Sequence, residues 1–161
     1  MSEIHIGAEV PDFELTATGG KPLSLSELRG RNVLLYFYPK ASTPGCTQEG
    51  QDFRDRYADF AAANTVILGV SRDALKAQQS FKDKYDFPFE LLCDTQEQLC
   101  KRFGVLKEKN RFGLKTMGIE RSTFLIDAAG VLRRQWRGVK VRGHADEALQ
   151  AARELAAASD H

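Results

Sequence analysis

The residues Val33-Leu34-Leu35-Tyr36-Phe37-Tyr38 are all apolar or aromatic, and much the same character returns in Thr65-Val66-Ile67-Leu68-Gly69-Val70. A run that is apolar at every position belongs to a strand covered on both faces, which happens where helices pack on both sides of a sheet. Between the two runs, beyond the break at Pro39 to Gly45, Phe53, Tyr57 and Phe60 recur at helical spacing and predict one helix from 44 to 63. Strand, helix, strand is a βαβ unit, whose strands lie parallel with a right-handed crossover.

The rest of the chain fits around that unit. Phe13-Glu14-Leu15-Thr16 and Leu23-Ser24-Leu25 alternate in polarity about Thr18-Gly19-Gly20-Lys21 and predict an N-terminal β-hairpin. Ala74 to Tyr85 reads as a helix with a weak apolar stripe, Phe87 to Leu92 as a short strand and Gln96 to Phe103 as a short helix. The basic stretch Lys107 to Lys115 reads as a solvated loop, or as a surface for an acidic reductant. Ser122 to Ile126 and Val131 to Trp136 flank Asp127-Ala128-Ala129-Gly130 and predict an antiparallel hairpin. Ala145, Ala148, Leu149, Ala152 and Leu155 mark the inner face of a C-terminal helix. This order is that of a thioredoxin-like α/β domain, a mixed central sheet flanked by helices. No repeat or linker divides the 161 residues, so one domain over 1–161 is expected.

Composition narrows the partners. Lysine and arginine number 23 against 22 aspartate and glutamate, which gives no electrostatic reason to expect nucleic acid or an anionic membrane. The start, Met1 to Gly7, has neither a basic leader nor an apolar core, and the longest apolar run is too short to span a bilayer, so a soluble cytoplasmic protein is expected. Three cysteines without a secretory signal argue for reduced thiols.

Cys46 follows the first buried strand at the mouth of the predicted helix, where Thr43 suits the N-cap and Pro44 the first helical position. Unpaired amides and the positive end of the helix dipole there favour an anion, the setting of a nucleophilic thiol. A lone cysteine near a helix start is more often an inert buried side chain. The longer string changes that balance. Tyr38-Pro39-Lys40-Ala41-Ser42-Thr43-Pro44-Gly45-Cys46-Thr47-Gln48-Glu49 resembles the active-site signature of the peroxiredoxins: a proline, three residues, a threonine, two residues and the peroxidatic cysteine. The resemblance continues through Phe53-Arg54-Asp55, Gly69-Val70-Ser71 and Arg121 to Asp127, covers nearly the whole chain, and is to the bacterioferritin-comigratory-protein branch, also called PrxQ.

What the resemblance implies is specific. The fold is thioredoxin-like and the protein often a monomer. Cys46 is peroxidatic, Thr43 positions the peroxide, Pro39 and Pro44 shape the pocket, and Arg121 is the arginine that completes the site. Arg121 makes sense on its own as well, since it immediately precedes a predicted core strand and can support charge at the end of the sheet. Glu49 shares the helix face of Cys46 and either orients Arg121 or complements the helix dipole. Such a thiolate attacks a hydroperoxide and becomes a sulfenic acid, with no metal or organic cofactor required. An external thiol system, thioredoxin or glutathione with glutaredoxin, then recycles it.

Two features depart from the branch. Many relatives carry a resolving cysteine five residues after the peroxidatic one, where this chain has Gly50, and others carry it on the next helix, where Ala74 to Tyr85 has none. A one-cysteine cycle is therefore expected, ahead of a bond from Cys46 to Cys93 or Cys100, which read as core fillers. Rival functions are weaker. A hydrolase would need a base such as His144 against Cys46, although His144 reads as a helix-terminus residue; a disulfide oxidoreductase would need Cys-x-x-Cys; a binding scaffold would leave Cys46 unreactive.

Overall fold

The computed structural model describes residues 3–159 apart from the side chain of Arg111. A five-stranded mixed sheet in the order β5-β4-β3-β8-β9 forms its centre. In it β3 (Asn32–Phe37), β4 (Thr65–Ser71) and β5 (Glu90–Cys93) run parallel, while β8 (Ser122–Ile126) and β9 (Leu132–Arg137) are antiparallel. The apolar run of β3 is explained by its position, since every residue from Asn32 to Phe37 is buried. Val33, Leu35 and Phe37 join one core with Phe103 and Phe124, and Leu34 and Tyr36 join the other with Phe53, Phe60 and Cys46. Each fully buried Leu or Phe stabilises the fold by roughly 1.5–3 kcal/mol.

The expected N-terminal hairpin is β1 (Glu14–Thr16) against β2 (Pro22–Ser24). α3 (Leu75–Lys84), α4 (Gln98–Arg102) and α5 (His144–Ser159) lie where periodicity put them, and at the start of α4 the amides of Leu99 and Cys100 donate to the Asp94 carboxylate at 3.1 Å and 2.8 Å. This is the thioredoxin-like arrangement. No helix among the described residues is long and apolar enough to cross a membrane.

Two expectations need correction. The single helix from 44 to 63 is two, α1 (Pro44–Asp55) and α2 (Tyr57–Ala62), broken at Arg56 with φ −109° and ψ 9°. Arg56 donates to the Asp52 carbonyl at 2.8 Å and to Asp146 of α5 at 2.6 Å, which ends α1 and ties it to α5. The stretch Lys107 to Lys115 is not a loop. It lies in an antiparallel hairpin of β6 (Leu106–Arg111) and β7 (Leu114–Ile119), whose turn residues Phe112 and Gly113 have φ of 54° and 78°. Two successive positive φ values make the tight turn that right-twisted strands prefer. Phe112, with a side chain that rarely adopts this conformation, sits almost fully exposed at the tip.

The three parallel strands end on one edge, at Phe37, Ser71 and Cys93, and β8 begins there because Ser122 pairs with Phe37. The connections that carry chemistry gather at this edge.

Candidate active site

The segment between β3 and α1 is pinned before it enters the helix. Tyr38 donates its amide to the Val70 carbonyl at 3.0 Å, and the Ala41 amide reaches the Asp73 carboxylate at 2.8 Å. Ser71 donates to the same carboxylate oxygen at 2.6 Å, so the turn after β4 holds the turn after β3. Tyr38 in turn donates to Gln78 at 2.6 Å, and Gln78 donates to the Leu92 carbonyl at 2.9 Å. Within the pinned segment Ser42 has φ +64°, a strained backbone of the kind held only where neighbours determine it.

Thr43 is the N-cap by position, with extended backbone, and Pro44 is the first helical residue. The Thr43 hydroxyl does not cap the helix; it donates to the Lys40 carbonyl at 2.7 Å, a rotamer that turns it away from the amides of the first turn. Its oxygen keeps two lone pairs to accept a further bond. Pro39 is half-buried at the start of the segment and Pro44 exposed at its end.

Cys46 lies in that first turn with its side chain buried, 1% exposed. Arg121, the residue before β8, sends Nη2 to within 3.5 Å of the Cys46 Sγ and donates from Nη1 to Glu49 Oε1 at 2.7 Å. Backbone contacts on both sides fix Arg121, since Glu120 donates to the Val105 carbonyl at 2.7 Å and Val139 to the Arg121 carbonyl at 2.9 Å. Gly45 lets the guanidinium in, because a Cβ there would come 3.2 Å from Arg121 Nη2. Burial works against the charge of Arg121, yet Glu49 and Cys46 beside it hold its pKa above the ordinary value.

Glu49 is 2% exposed, and its Oε2 is buried with no hydrogen-bond partner. Burial pushes its carboxyl up to about 7, and Arg121 pulls it back only in part. His144, first residue of α5, is buried with Nε2 2.8 Å from the Thr123 hydroxyl, and burial pushes its pKa down to about 4. Its ring packs edge-on against Phe53 and Trp136, so it is a core residue and no base for Cys46. No cluster of three or more His, Cys, Asp or Glu among the described residues could hold a metal ion.

This constellation of a buried thiol, an arginine on its sulfur and a glutamate on the arginine agrees with what the chain resembles as a whole. The family model of AhpC/TSA matches residues 6–135. The chain belongs to the AhpC/TSA family. It is 48% identical to the peroxiredoxin Bcp of Bacillus subtilis over 152 residues, 94% of this chain and 97% of that one. The bacterioferritin comigratory protein of Xanthomonas campestris, a structure concerned with alkyl peroxide reduction and trapped intermediates, matches with a TM-score of 0.86 and 46% identity over 89% of this chain and 92% of that one. A cysteine-to-serine mutant of PrxQ from Xylella fastidiosa matches with a TM-score of 0.90 and 39% identity over 96% and 98%. Within the family the chain is a member of the Bcp/PrxQ peroxiredoxins, a thiol-dependent hydroperoxide reductase with a thioredoxin-like fold.

Of the residues singled out in the sequence, Arg121 joins Cys46 and Glu49 in direct contact, while Thr43 and Pro44 stand at the start of the same helix and Pro39 precedes them in the segment after β3. Cys93 and Cys100 lie elsewhere, at the end of β5 and inside α4. Sequence reasoning missed the Ser71–Asp73 clamp on Ala41, although Gly69-Val70-Ser71 was part of the resemblance; a serine two residues before an aspartate at a strand end is its one local sign. It also missed Gly45, whose need is set by an arginine far along the chain.

Proposed function

We propose that Cys46 is the thiol that reduces hydroperoxides in this enzyme, and that a one-cysteine cycle returns it. The observation that carries the reading is the Arg121 guanidinium 3.5 Å from Sγ, held by Glu49. The thiolate attacks one peroxide oxygen; a sulfur–oxygen bond forms and the O–O bond breaks. Sulfur is oxidised by two electrons, and the departing oxygen takes a proton and leaves as water or an alcohol, so that Cys46 becomes a sulfenic acid. Arg121 faces the charge that builds on the oxygens. Because the Thr43 proton is committed to Lys40, its oxygen is left to accept the O–H of the incoming hydroperoxide. Pro39 and Pro44 frame this pocket and Glu49 sets the angle of Arg121. Hydrogen peroxide and organic hydroperoxides are the substrates, the latter supported by the alkyl peroxide activity of the Xanthomonas relative.

The one-cysteine cycle is supported by packing. A Cβ at Gly50 would clash with the tip of the Phe87 ring, so a resolving thiol on the next turn of α1 would need that ring to move. An external thiol, from thioredoxin or from glutathione with glutaredoxin, attacks the sulfenic acid instead. We extend the reading to a cytoplasmic monomer with 1–161 as one catalytic domain, on the strength of the branch resemblance. The test is Cys46→Ser, since a hydroxyl is a far weaker nucleophile than a thiolate. Peroxide consumption should fall below roughly a hundredth of wild type, with the circular dichroism spectrum unchanged; retention of more than about a tenth would overturn the assignment.

A further inference from the structure

Three large apolar side chains that the described residues leave exposed, Phe112 at 98%, Leu114 at 69% and Met117 at 50%, belong to the single β6–β7 hairpin. The hairpin is a sheet of its own, not hydrogen-bonded into the central one, and every described side chain from Lys107 to Met117 is exposed. At the usual rise per residue it reaches about 17 Å from Lys107 to its tip at Phe112. Phe112 stands there at φ 54°, an unfavourable conformation for so bulky a side chain, and its ring enters neither core.

The charge of the hairpin is one-sided. Lys107, Lys109 and Lys115 stand against one acidic residue, Glu108. Glu108 meets Lys115 at 3.7 Å, and Lys107 and Lys109 have no ion pair with any described residue. The near balance of basic and acidic residues over the whole chain conceals this local excess. Residues paired across the ladder share a face, so Lys107, Lys109 and Leu114 lie on one side of the hairpin, Lys115 and Met117 lie on the other, and Phe112 is at the tip between them. A protein partner with a flat contact surface would meet only one of these sides. A lipid headgroup layer surrounds whatever enters it, so an apolar tip with cations on both sides fits the boundary between headgroups and acyl chains.

We propose that the β6–β7 hairpin docks the enzyme on an anionic phospholipid surface. Phe112 enters the headgroup–acyl boundary, Leu114 and Met117 follow it, and the three lysines face the lipid phosphates. This is peripheral attachment by a hairpin tip and requires no segment that crosses the membrane. Desolvation of the ring and attraction of the lysines act together, because a single apolar anchor binds a bilayer only marginally and holds when a basic patch stands beside it. Docking is separate from the chemistry at Cys46 and does not depend on how the sulfenic acid is resolved.

The test is co-sedimentation of the full-length protein with sucrose-loaded vesicles of phosphatidylglycerol and phosphatidylcholine in equal parts, against vesicles of phosphatidylcholine alone. The mixed vesicles should bind roughly a hundredfold more tightly, and added salt should erode that difference. Phe112→Ser should weaken binding to the mixed vesicles roughly tenfold, the worth of burying one aromatic ring. Lys109→Gln should weaken it about fivefold. Phe112→Trp should keep the affinity, and its indole emission should shift to the blue on the mixed vesicles, with the wild type and its Trp136 as reference. Peroxide consumption without vesicles should stay at the wild-type rate in all three variants. Equal binding to the two kinds of vesicle, or full binding by Phe112→Ser, overturns the proposal. So does a protein that binds neither vesicle yet forms a dimer that Phe112→Ser dissolves, which makes the hairpin an interface between two copies of the chain. An enzyme that sediments as expected but consumes no peroxide supports the docking and overturns the peroxidase reading instead.

Discussion

All three cysteines are buried, at 1% exposure for Cys46, 7% for Cys93 and 0% for Cys100, yet the two regions that hold them are opposite in charge. Cys46 faces the guanidinium of Arg121 across 3.5 Å. Cys100 faces the Asp94 carboxylate, which also caps α4, and burial together with that carboxylate drives its pKa far above the ordinary thiol value. Cys93 is raised too, by burial first and then by Asp73. Burial alone therefore says little about a thiol; the sign of the nearest charge decides which way a thiolate is favoured. Asp73 and Asp94 have structural work to do, one holding Ala41 and the other starting α4, and each also disfavours the thiolate of the cysteine beside it.

The largest test of this contrast is to remove its positive side. Arg121→Ala should slow the reaction of Cys46 with hydrogen peroxide roughly hundredfold, the usual cost of deleting a donor aimed at developing charge. Arg121→Lys should recover little of it, because one ammonium cannot reach both Glu49 and Sγ as the two guanidinium nitrogens do. Stopped-flow oxidation under single-turnover conditions measures this step apart from recycling. A change of less than about threefold, set against the size expected for such a donor, would remove Arg121 from the chemistry.

A smaller effect comes from the carboxylate behind the arginine. Glu49 has a folded pKa of about 7 against an ordinary 4.5, so the folded state holds its proton more tightly than the unfolded chain. The stability this group contributes is full below pH 4.5 and is lost as pH rises through about 7. Glu49→Gln keeps an oxygen for Arg121 and has no proton to lose. Urea unfolding at pH 5 and pH 8 should show the wild type losing up to about 3 kcal/mol relative to the variant over that interval. Parallel pH dependence of the two proteins would show that the Glu49–Arg121 pair is neutralised in some other way.

Much of this site was legible in the sequence because its parts are local. Pro39, Thr43 and Cys46 lie within one turn-and-helix entry, and the fully apolar β3 announces a central strand in whatever fold follows. Arg121 was singled out by the family resemblance, with which its place just before a core strand agrees, and Ser122 does pair with Phe37. What was not legible depends on register or on contacts between distant segments. Asp73 holds Ala41 only because β3 and β4 end level with one another. Phe87 fills the space over Gly50 from beyond α3, which no spacing rule reveals. The β6–β7 hairpin was hidden because its turn uses Phe112 where asparagine or glycine is usual, and because charged residues along β6 mask the period of a strand. The break at Arg56 leaves the apolar spacing intact, since Phe53 and Phe60 still enter one core.

The smallest effect is expected at the two cysteines on the acidic side. Cys93 ends β5, two strands away from β3, a separation of about 10 Å at the usual strand spacing. A disulfide needs Cα atoms within about 7 Å, and a Cys46 that turned to Cys93 would give up its contact with Arg121. Cys100 is less accessible still, wholly buried and with its thiolate disfavoured by Asp94. A thiol that does not ionise does not attack a sulfenic acid at a useful rate. Cys93→Ala and Cys100→Ala should therefore each leave steady-state peroxide turnover within about twofold of wild type, a change small beside that of losing a reactive thiol. Cys100→Ala should also cost stability, since it empties part of a packed core, by about 1 kcal/mol or more. The decisive measurement is the intact mass of each variant after one equivalent of peroxide without added thiol. A gain of one oxygen in the wild type and in both variants fits the contrast. A wild type that instead loses two hydrogens, with one variant gaining the oxygen, would identify that cysteine as the resolving one, and would mean that α1 unfolds during the cycle to carry Cys46 to the acidic side.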